Sequence, residues 1–162
     1  GIPFAFAFYK NSYIGRTFIK PTQEERESSV HLKLSVLESV VKDKRIVLVD
    51  DSIVRGTTIA NLIHMLKEAG AKEVHVRISS PPFLHPCYFG TDVPSNDQLI
   101  AASHSTEEIC KMIGADSLGY MQTDYLEGMA GGLPLCKACF DGNYPMEIPD
   151  YTNAEFADIV KC

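Results

Sequence analysis

The sequence lacks the features of a membrane or nucleic-acid protein. Its 162 residues contain no apolar run near the roughly 20 residues that a membrane-spanning helix needs, and no signal peptide is visible. Lys and Arg number 15 against 21 Asp and Glu, a balance that argues against a surface for phosphate backbones. The chain also lacks repeats, and it begins Gly-Ile-Pro-Phe without an initiating Met, so we expect a piece of a longer protein. At 45% hydrophobic and 22% charged residues, it has the composition of one globular domain.

The most informative segment is residues 46–58, Ile-Val-Leu-Val-Asp-Asp-Ser-Ile-Val-Arg-Gly-Thr-Thr. Four apolar residues predict a short buried strand that ends in two adjacent acids, Asp50 and Asp51. The turn that follows opens a helix, where backbone N–H groups bind anions, and Gly56 lets that backbone approach closely. The carboxylates suit ribose hydroxyls or a hydrated Mg²⁺. The segment therefore predicts a site for a sugar phosphate.

A helix and a second strand follow this turn. Apolar residues at 59, 62, 63 and 66 predict an amphipathic helix over 58–69, with Gly70 after its end. Alternating Val74, Val76 and Ile78 predict a strand, and strand–helix–strand indicates a parallel sheet with the turn at its carboxyl edge. Elsewhere we expect a strand over 4–9, a loop over 10–28, a short helix over 32–40, helices over 106–113 (capped by Ser105 or Thr106) and 118–129, and loop from 131 on.

The acidic pair and its turn resemble the 5-phosphoribosyl-1-pyrophosphate (PRPP) loop of the type I phosphoribosyltransferases. A strand ending in Asp-Asp-Ser also opens receiver domains, whose phospho-acceptor Asp follows some forty residues later. Asp92 lies 92 − 50 = 42 residues after Asp50. However, Asp92 sits in Phe-Gly-Thr-Asp-Val-Pro, which is loop chemistry, and a receiver does not need Arg-Gly-Thr-Thr. The pattern favours a phosphoribosyltransferase.

A second segment narrows the resemblance. Residues 13–23, Tyr-Ile-Gly-Arg-Thr-Phe-Ile-Lys-Pro-Thr-Gln, resemble the flexible catalytic loop of the amidophosphoribosyltransferases. The similarity continues through Ile-Ser-Ser-Pro-Pro at 78–82 and Gly-Ala-Asp-Ser-Leu at 114–118, so it covers nearly the whole chain. It departs at 5–8, where the family has a glycine, and at Ser12, where the family often has a basic residue.

This resemblance implies a fold and an activity. The fold is α/β, of the type I phosphoribosyltransferase class, with a mostly parallel sheet flanked by helices. Residues 1–130 would be the carboxyl-terminal part of that domain, and residues 131–162 a cysteine-containing extension. The reaction is glutamine-dependent: PRPP, glutamine and water give 5-phosphoribosylamine, glutamate and pyrophosphate, the first step of purine biosynthesis. The enzyme, a glycosyltransferase, would be cytoplasmic.

The resemblance also implies partners and site residues. A glutaminase domain before this chain would supply ammonia from glutamine, and the intact enzyme would be a homotetramer inhibited by purine nucleotides. Arg16, on the expected lid over 10–28, and Lys33, five residues beyond it, would contact the ligand during catalysis. Asp50 and Asp51 would also bind Mg²⁺. The complete set of expected PRPP-binding residues is Asp50, Asp51, Ser52, Arg55, Gly56, Thr57 and Thr58.

Three cysteines suggest a further site. Cys136 and Cys139 form a CxxC pair, and Cys87 lies 136 − 87 = 49 residues earlier. Such a pair is redox-active, zinc-binding or cluster-binding. One branch of the amidophosphoribosyltransferases carries a [4Fe–4S] cluster on four thiolates, and these three cysteines match three of them, the fourth lying before Gly1. A rival is Zn²⁺ on the same cysteines with His85; Cys110, in an apparent helix, is expected to be a buried small hydrophobe.

Two other functions remain as alternatives. A base phosphoribosyltransferase has the acidic pair and the turn, but not the loop at 13–23 or the three cysteines. A phosphoribosyl-binding regulator without activity is disfavoured by the acidic net charge of −6 and the intact acidic pair.

Overall fold

The computed structural model describes residues 1–10, 34–91 and 95–148. The predicted lid over 10–28 therefore lies almost entirely outside the described residues. No helix in these three ranges is long and apolar enough to cross a membrane. The elements are β1 (Phe8–Lys10), β2 (Leu34–Val36), α1 (Glu38–Val41), β3 (Arg45–Asp50), α2 (Thr57–Glu68), β4 (Glu73–Ile78), a 3₁₀ turn (Asn96–Gln98), α3 (Ile100–Ser103), α4 (Thr106–Met112), β5 (Ser117–Tyr120), α5 (Tyr125–Met129) and α6 (Ala138–Asp141).

The central feature is a three-stranded parallel sheet in the order β3-β4-β5, and the predicted α/β class is confirmed. Its middle strand is the most buried, because the side chains of Val74 and Val76 are completely covered. The amphipathic helix is also confirmed: α2 buries Ile59, Ile63 and Leu66 on its apolar stripe. It ends before Gly70, whose φ of +90° lets the chain turn after the helix.

The second crossover connects β4 to β5 through α3 and α4. Ser105 starts α4 with a reciprocal cap: its Oγ accepts the N–H of Glu108, whose carboxylate accepts the N–H of Ser105 at 2.8 Å. The predicted helix over 106–113 and its Ser105 cap are therefore confirmed. Because both crossovers are helical, the carboxyl ends of the three strands share one edge of the sheet.

Four element predictions were wrong in part. The strand expected over 4–9 is formed only at Phe8–Lys10, and the loop expected from 131 on contains α6. The other two were wrong because short apolar runs do not distinguish the helical period from the strand period. Residues 34–36 form a strand rather than a helix, paired antiparallel with β1 so that Phe8 faces Val36. The expected helix over 118–129 begins only at Tyr125, since residues 117–120 join the sheet. There Gly119 makes room for a neighbouring strand's side chain: a Cβ at this position would lie 3.2 Å from Cδ of Arg77.

The chain divides into two compact units, each with its own buried residues. The first comprises Gly1–Leu48, Thr57–Val76 and Cys110–Leu118, and the second Val49–Gly56, Arg77–Ile109 and Gly119–Cys162. The predicted boundary after residue 130 stays a prediction. In the first unit the buried hydrophobic residues are Val41, Ile59, Ile63, Met65, Leu66, Val74, Val76 and Ile113; in the second they are Ile53, Ile78, Phe83, Leu99, Ile109 and Ala138.

One carboxylate ties the strand β4 to the turn before β5 within the first unit. Asp116 Oδ2 accepts the backbone N–H of Val74 at 2.7 Å, and Asp116 N–H donates to the Val74 carbonyl at 2.9 Å. Lys67 Nζ lies 3.3 Å from the same carboxylate oxygen. The Val74 N–H bond, opposed by partial burial and helped by Lys67, lowers the pKa of Asp116 below its ordinary value.

We predict that Asp116→Ala destabilises the protein by about 1–2 kcal/mol at neutral pH, chiefly through the orphaned Val74 N–H. The exposed Lys67 pair adds little. Because the folded-state pKa of Asp116 is depressed, its contribution is present above the unfolded-state pKa, near pH 4, and disappears as pH falls through the folded-state value. Urea denaturation at pH 7 and pH 3 should therefore show a smaller gap between variant and parent at pH 3. Asp124→Ala, which removes a carboxylate with no side-chain cap bond, is the control.

Candidate sugar-phosphate site

The acidic loop is fixed by an extension of the sheet's backbone pairing. Asp50 is the last residue of β3, and its carbonyl accepts the N–H of Ser79 at 3.0 Å. The next carbonyl, that of Asp51, accepts the N–H of Ser80, also at 3.0 Å. The loop therefore leaves the sheet at a defined place, at the carboxyl end of β3.

The two carboxylates differ in their surroundings. Asp50 Oδ1 accepts the N–H of Asp51 at 2.9 Å, while Asp51 Oδ1 accepts the hydroxyl of Ser52 at 2.7 Å. Partial burial raises the pKa of Asp50, an effect that the Asp51 N–H opposes and the neighbouring Asp51 charge increases. Asp51 itself is exposed. The pair thus presents two oxygen-rich side chains at the sheet edge, the ligand chemistry that Mg²⁺ and ribose hydroxyls accept.

The rest of the acidic loop is fixed by one buried side chain and by two hydrogen bonds to residues 98 and 100. Ile53 is buried with 2% of its surface exposed, and the Val54 carbonyl accepts the N–H of Ile100 at 2.9 Å. Arg55 donates from its guanidinium to the side-chain oxygen of Gln98. Gly56 then adopts a φ of +84°, in the left-handed region, immediately before α2 begins at Thr57. The loop therefore leads directly into a helix start, as the sequence predicted.

The comparisons with known proteins agree with this geometry. A family model described as the phosphoribosyl transferase domain matches residues 1–79. The chain is 51% identical to an amidophosphoribosyltransferase from Bacillus subtilis over 157 residues and 57% identical to one from Pyrococcus horikoshii over 145 residues. These matches cover 91% and 90% of the chain but 32% of each relative, so the chain spans about a third of the length of the curated relatives it matches.

Solved structures give the same result. The glutamine PRPP amidotransferase from B. subtilis, solved in complex with ADP and GMP, superimposes with a TM-score of 0.79 at 49% identity, covering 96% of this chain and 36% of that one. A second structure, described as the allosteric regulatory enzyme of purine biosynthesis, gives a TM-score of 0.76 at 48% identity, with 96% and 35% coverage. The sheet, its acidic loop and these similarities define a phosphoribosyltransferase-type domain. Within that class, the chain is a homologue of the amidophosphoribosyltransferases over nine tenths of its length.

The three cysteines all lie in the second unit. Cys87 and Cys139 pack against the same buried pair, Phe83 and Leu99, whereas Cys136 is exposed. Burial, followed by the charges of Cys87 and Cys136, raises the pKa of Cys139. Packing against the same residues therefore places Cys87 and Cys139 in one part of the second unit, although 139 − 87 = 52 positions separate them in the chain.

Cys87 has a different environment from Cys139. Burial acts to raise the pKa of its thiol, but hydrogen bonds from the backbone N–H groups of residues 89, 91 and 90 and from the Thr91 side chain outweigh burial and lower it.

In the described ranges, no group of three or more His, Cys, Asp or Glu side chains is close enough to hold a metal ion. The zinc alternative needs its ligands around one ion, and no such group is found there. The ring of His85 lies instead against Gly142.

Several residues that shape the loop were not predicted from the sequence. Gln98 meets Arg55 across 43 positions, and no local pattern signals that pair. Ser79 and Ser80 were noted only as part of a family-like run, yet their N–H groups fix the acidic loop. Arg16 and Lys33, the expected catalytic cations, lie outside the described residues. Their roles stay predictions.

We predict that Gly56→Ala destabilises the protein, because a φ of +84° places a Cβ against the backbone at a cost of about 1–2 kcal/mol. The matched control is Gly128→Ala in α5, where a Cβ would meet no atom within 4 Å. That change should stabilise by about 0.5–1 kcal/mol, since Ala is the better residue inside a helix. Urea denaturation of both variants measures the contrast. Equal effects at the two glycines would show that the loop does not require this conformation.

Proposed function

We propose that the protein containing this chain is a glutamine-dependent amidophosphoribosyltransferase, a glycosyltransferase that forms 5-phosphoribosylamine, glutamate and pyrophosphate from PRPP, glutamine and water. The observation that supports this most is the acidic loop leading into a left-handed glycine and a helix start, in a chain about half identical to enzymes of that name. We further propose that this is the first step of purine biosynthesis and takes place in the cytoplasm.

The loop would bind PRPP through two kinds of contact. Asp50 and Asp51 would accept hydrogen bonds from the ribose hydroxyls. Backbone N–H groups around Gly56, with the hydroxyls of Ser52, Thr57 and Thr58, would hold the 5′-phosphate at the start of α2. Arg55, oriented by Gln98, adds positive charge next to that phosphate.

A divalent cation fits the acidic pair. The donor set is two carboxylates at a strand end, one half-buried and one exposed, which suits a magnesium ion that keeps most of its water. When bound, Mg²⁺ would neutralise charge on the pyrophosphate leaving group. Asp50 and Asp51 would hold it through their carboxylate oxygens.

Catalysis would then depend on positioning and on exclusion of water. Ammonia attacks C1 of the ribose as the bond to pyrophosphate breaks, and no side chain needs to form a covalent bond. Arg16 on the lid and Lys33 just after it, both assigned by resemblance, would stabilise the departing pyrophosphate. A glutaminase domain elsewhere in the intact protein would release the ammonia.

We also propose that Cys87, Cys136 and Cys139 hold a [4Fe–4S] cluster with a fourth thiolate from outside this chain. Thiolates are the donors that such a cluster uses, and Cys87 and Cys139 pack against the same residues, Phe83 and Leu99. The cluster would supply structural cross-linking rather than catalysis.

Purine nucleotide inhibition and a homotetrameric assembly are proposed on the family resemblance, and the B. subtilis structure contains ADP and GMP.

The combined variant Asp50→Asn with Asp51→Asn should lower PRPP-dependent synthesis of phosphoribosylamine by about two orders of magnitude or more, because it removes the charge that holds ribose and Mg²⁺. Glutaminase activity, measured separately in the intact enzyme, should fall much less. Asp43→Asn with Asp124→Asn makes the same charge change at exposed sites and should leave synthesis unaltered. Full synthesis in the Asp50/Asp51 variant would contradict the assigned role. Product formation from a free purine or pyrimidine base, with no dependence on glutamine, would favour the base phosphoribosyltransferase.

The cluster proposal predicts that the full-length protein, prepared without oxygen, is brown and contains iron and inorganic sulfide in equal amounts. Cys136→Ser should abolish the colour. Cys110→Ser is the matched control, since Cys110 donates to the Ala115 carbonyl at 3.3 Å, a bond that a serine hydroxyl can also make. Colourless protein with one zinc ion per chain would contradict the cluster and favour the zinc alternative.

A further inference from the structure

The segment after the CxxC pair folds back onto the segment that carries Cys87. The carbonyl of Cys139 accepts two backbone N–H groups, from Leu84 at 2.9 Å and from His85 at 3.1 Å. Five residues after Cys139, the hydroxyl of Tyr144 donates to the Pro86 carbonyl at 2.8 Å. The two cysteine-bearing segments are thus joined within α6, at Cys139, and again three residues after its end, at Tyr144.

Tyr144 contacts the chain both before and after Cys87. Its hydroxyl binds the residue before Cys87, and its ring packs on the two residues after it, with ring centroids 5.3 Å from Tyr88 and 6.2 Å from Phe89. We call Tyr88, Phe89 and Tyr144 the aromatic clasp. Tilted and edge-to-face rings at these separations attract one another beyond the area they bury. The clasp therefore restrains Cys87 from both directions along the chain.

Gly142 makes this return of the chain possible. It ends α6 with a φ of +77°, and a Cβ at this position would lie 3.0 Å from Nε2 of His85. Only a glycine both turns the chain in this direction and lets it pass so close to the imidazole. The turn continues with the N–H of Asn143 donating to the Asp141 carboxylate at 2.9 Å, after which Tyr144 reaches Pro86.

We propose that Tyr144 is a positioning residue for the cysteine centre: it sets the location of Cys87 relative to Cys139 and restricts solute access to both thiols. This inference rests on the proposed cysteine centre, but the restraint is built into the polypeptide and precedes any metal. Since the contacts of Tyr144 already restrict the chain around Cys87, less chain entropy is lost when a metal group is bound. Loss of the Tyr144 hydroxyl frees the Pro86 carbonyl, and loss of the ring removes the packing on the two residues that follow Cys87.

The first test measures thiol reactivity in metal-free protein. Tyr144→Phe removes the hydroxyl and keeps the ring, and Tyr144→Leu removes both. The rates at which iodoacetamide alkylates Cys87 and Cys139 are measured by peptide mass spectrometry. Alkylation should be about fivefold faster in Tyr144→Phe, because the hydrogen bond from Tyr144 to Pro86 is lost. It should be faster again in Tyr144→Leu, which also loses the ring. Exposed Cys136 should react at the parental rate and serves as an internal control. Tyr125→Phe, at an exposed tyrosine in α5, is the matched variant and should alkylate like the parent.

The second test uses the full-length protein with its iron–sulfur group in place. Release of iron to a ferrous chelator, followed by loss of visible absorbance, should be about fivefold faster in Tyr144→Phe than in the parent or Tyr125→Phe. Parental alkylation rates in both Tyr144 variants would overturn the proposal, whatever the iron result. If the parent contains no iron, the cluster proposal fails, and the alkylation rates alone decide the role of Tyr144. Thermal melting of each variant verifies that it is folded.

Discussion

The structure depends most on two backbone hydrogen bonds that extend the pairing of β3 and β4 past the last residue of β3. The Ser79 and Ser80 N–H groups donate to the carbonyls of Asp50 and Asp51. Because parallel strands place their carboxyl ends at one edge, these bonds hold the acidic pair at the place where open α/β sheets bind ligands. The side chains of the loop can then point into solvent while its backbone stays satisfied.

A hydrophobic cluster of the second unit contacts both the acidic loop and two of the cysteines. Val54, in the acidic loop, packs against Phe83 and Leu99, and so do Cys87 and Cys139. The Val54 carbonyl also accepts the N–H of Ile100, next to Leu99. The acidic loop and two of the cysteines thus pack against the same buried residues. A rearrangement of Phe83 and Leu99 would therefore affect both. If the proposed group is bound at the cysteines, it would have a physical connection to the proposed sugar-phosphate loop without taking part in the chemistry.

How far the sequence predicted the structure depended on the distance between interacting residues. The order β3–α2–β4, the Ser105 cap and the turn at Gly70 follow from local periodicity and capping, so they were predicted correctly. The burial predicted for β3 was wrong, because Val47 and Val49 are 44% and 69% exposed. The strand at 34–36 was missed because its partner, β1, is more than twenty residues away, and the same apolar spacing fits a helix. The strand at 117–120 was missed for a similar reason, since Gly119 is explained only by the Arg77 side chain beside it. Within the candidate sites, local residue types indicated the acidic pair and the cysteines, while the contacts of Gln98 and Tyr144 span 43 and 58 positions.

In both candidate sites burial acts to raise the pKa of an acidic group, but the net pKa shifts are opposite at Asp50 and Cys87. Each partly buries a group that is most useful when ionised, and each offsets that burial with backbone N–H groups. At Asp50 a single N–H, from Asp51, does not compensate for burial and the adjacent carboxylate, so the pKa of Asp50 is raised. At Cys87 the N–H groups of residues 89–91 and the Thr91 side chain outweigh burial, so the pKa of the thiol is lowered. The backbone N–H groups therefore favour the ionised form of Cys87, whereas at Asp50 burial and the charge of Asp51 disfavour it. A bound cation would offset that excess of negative charge at the acidic pair, which is the role that the proposed function gives to Mg²⁺.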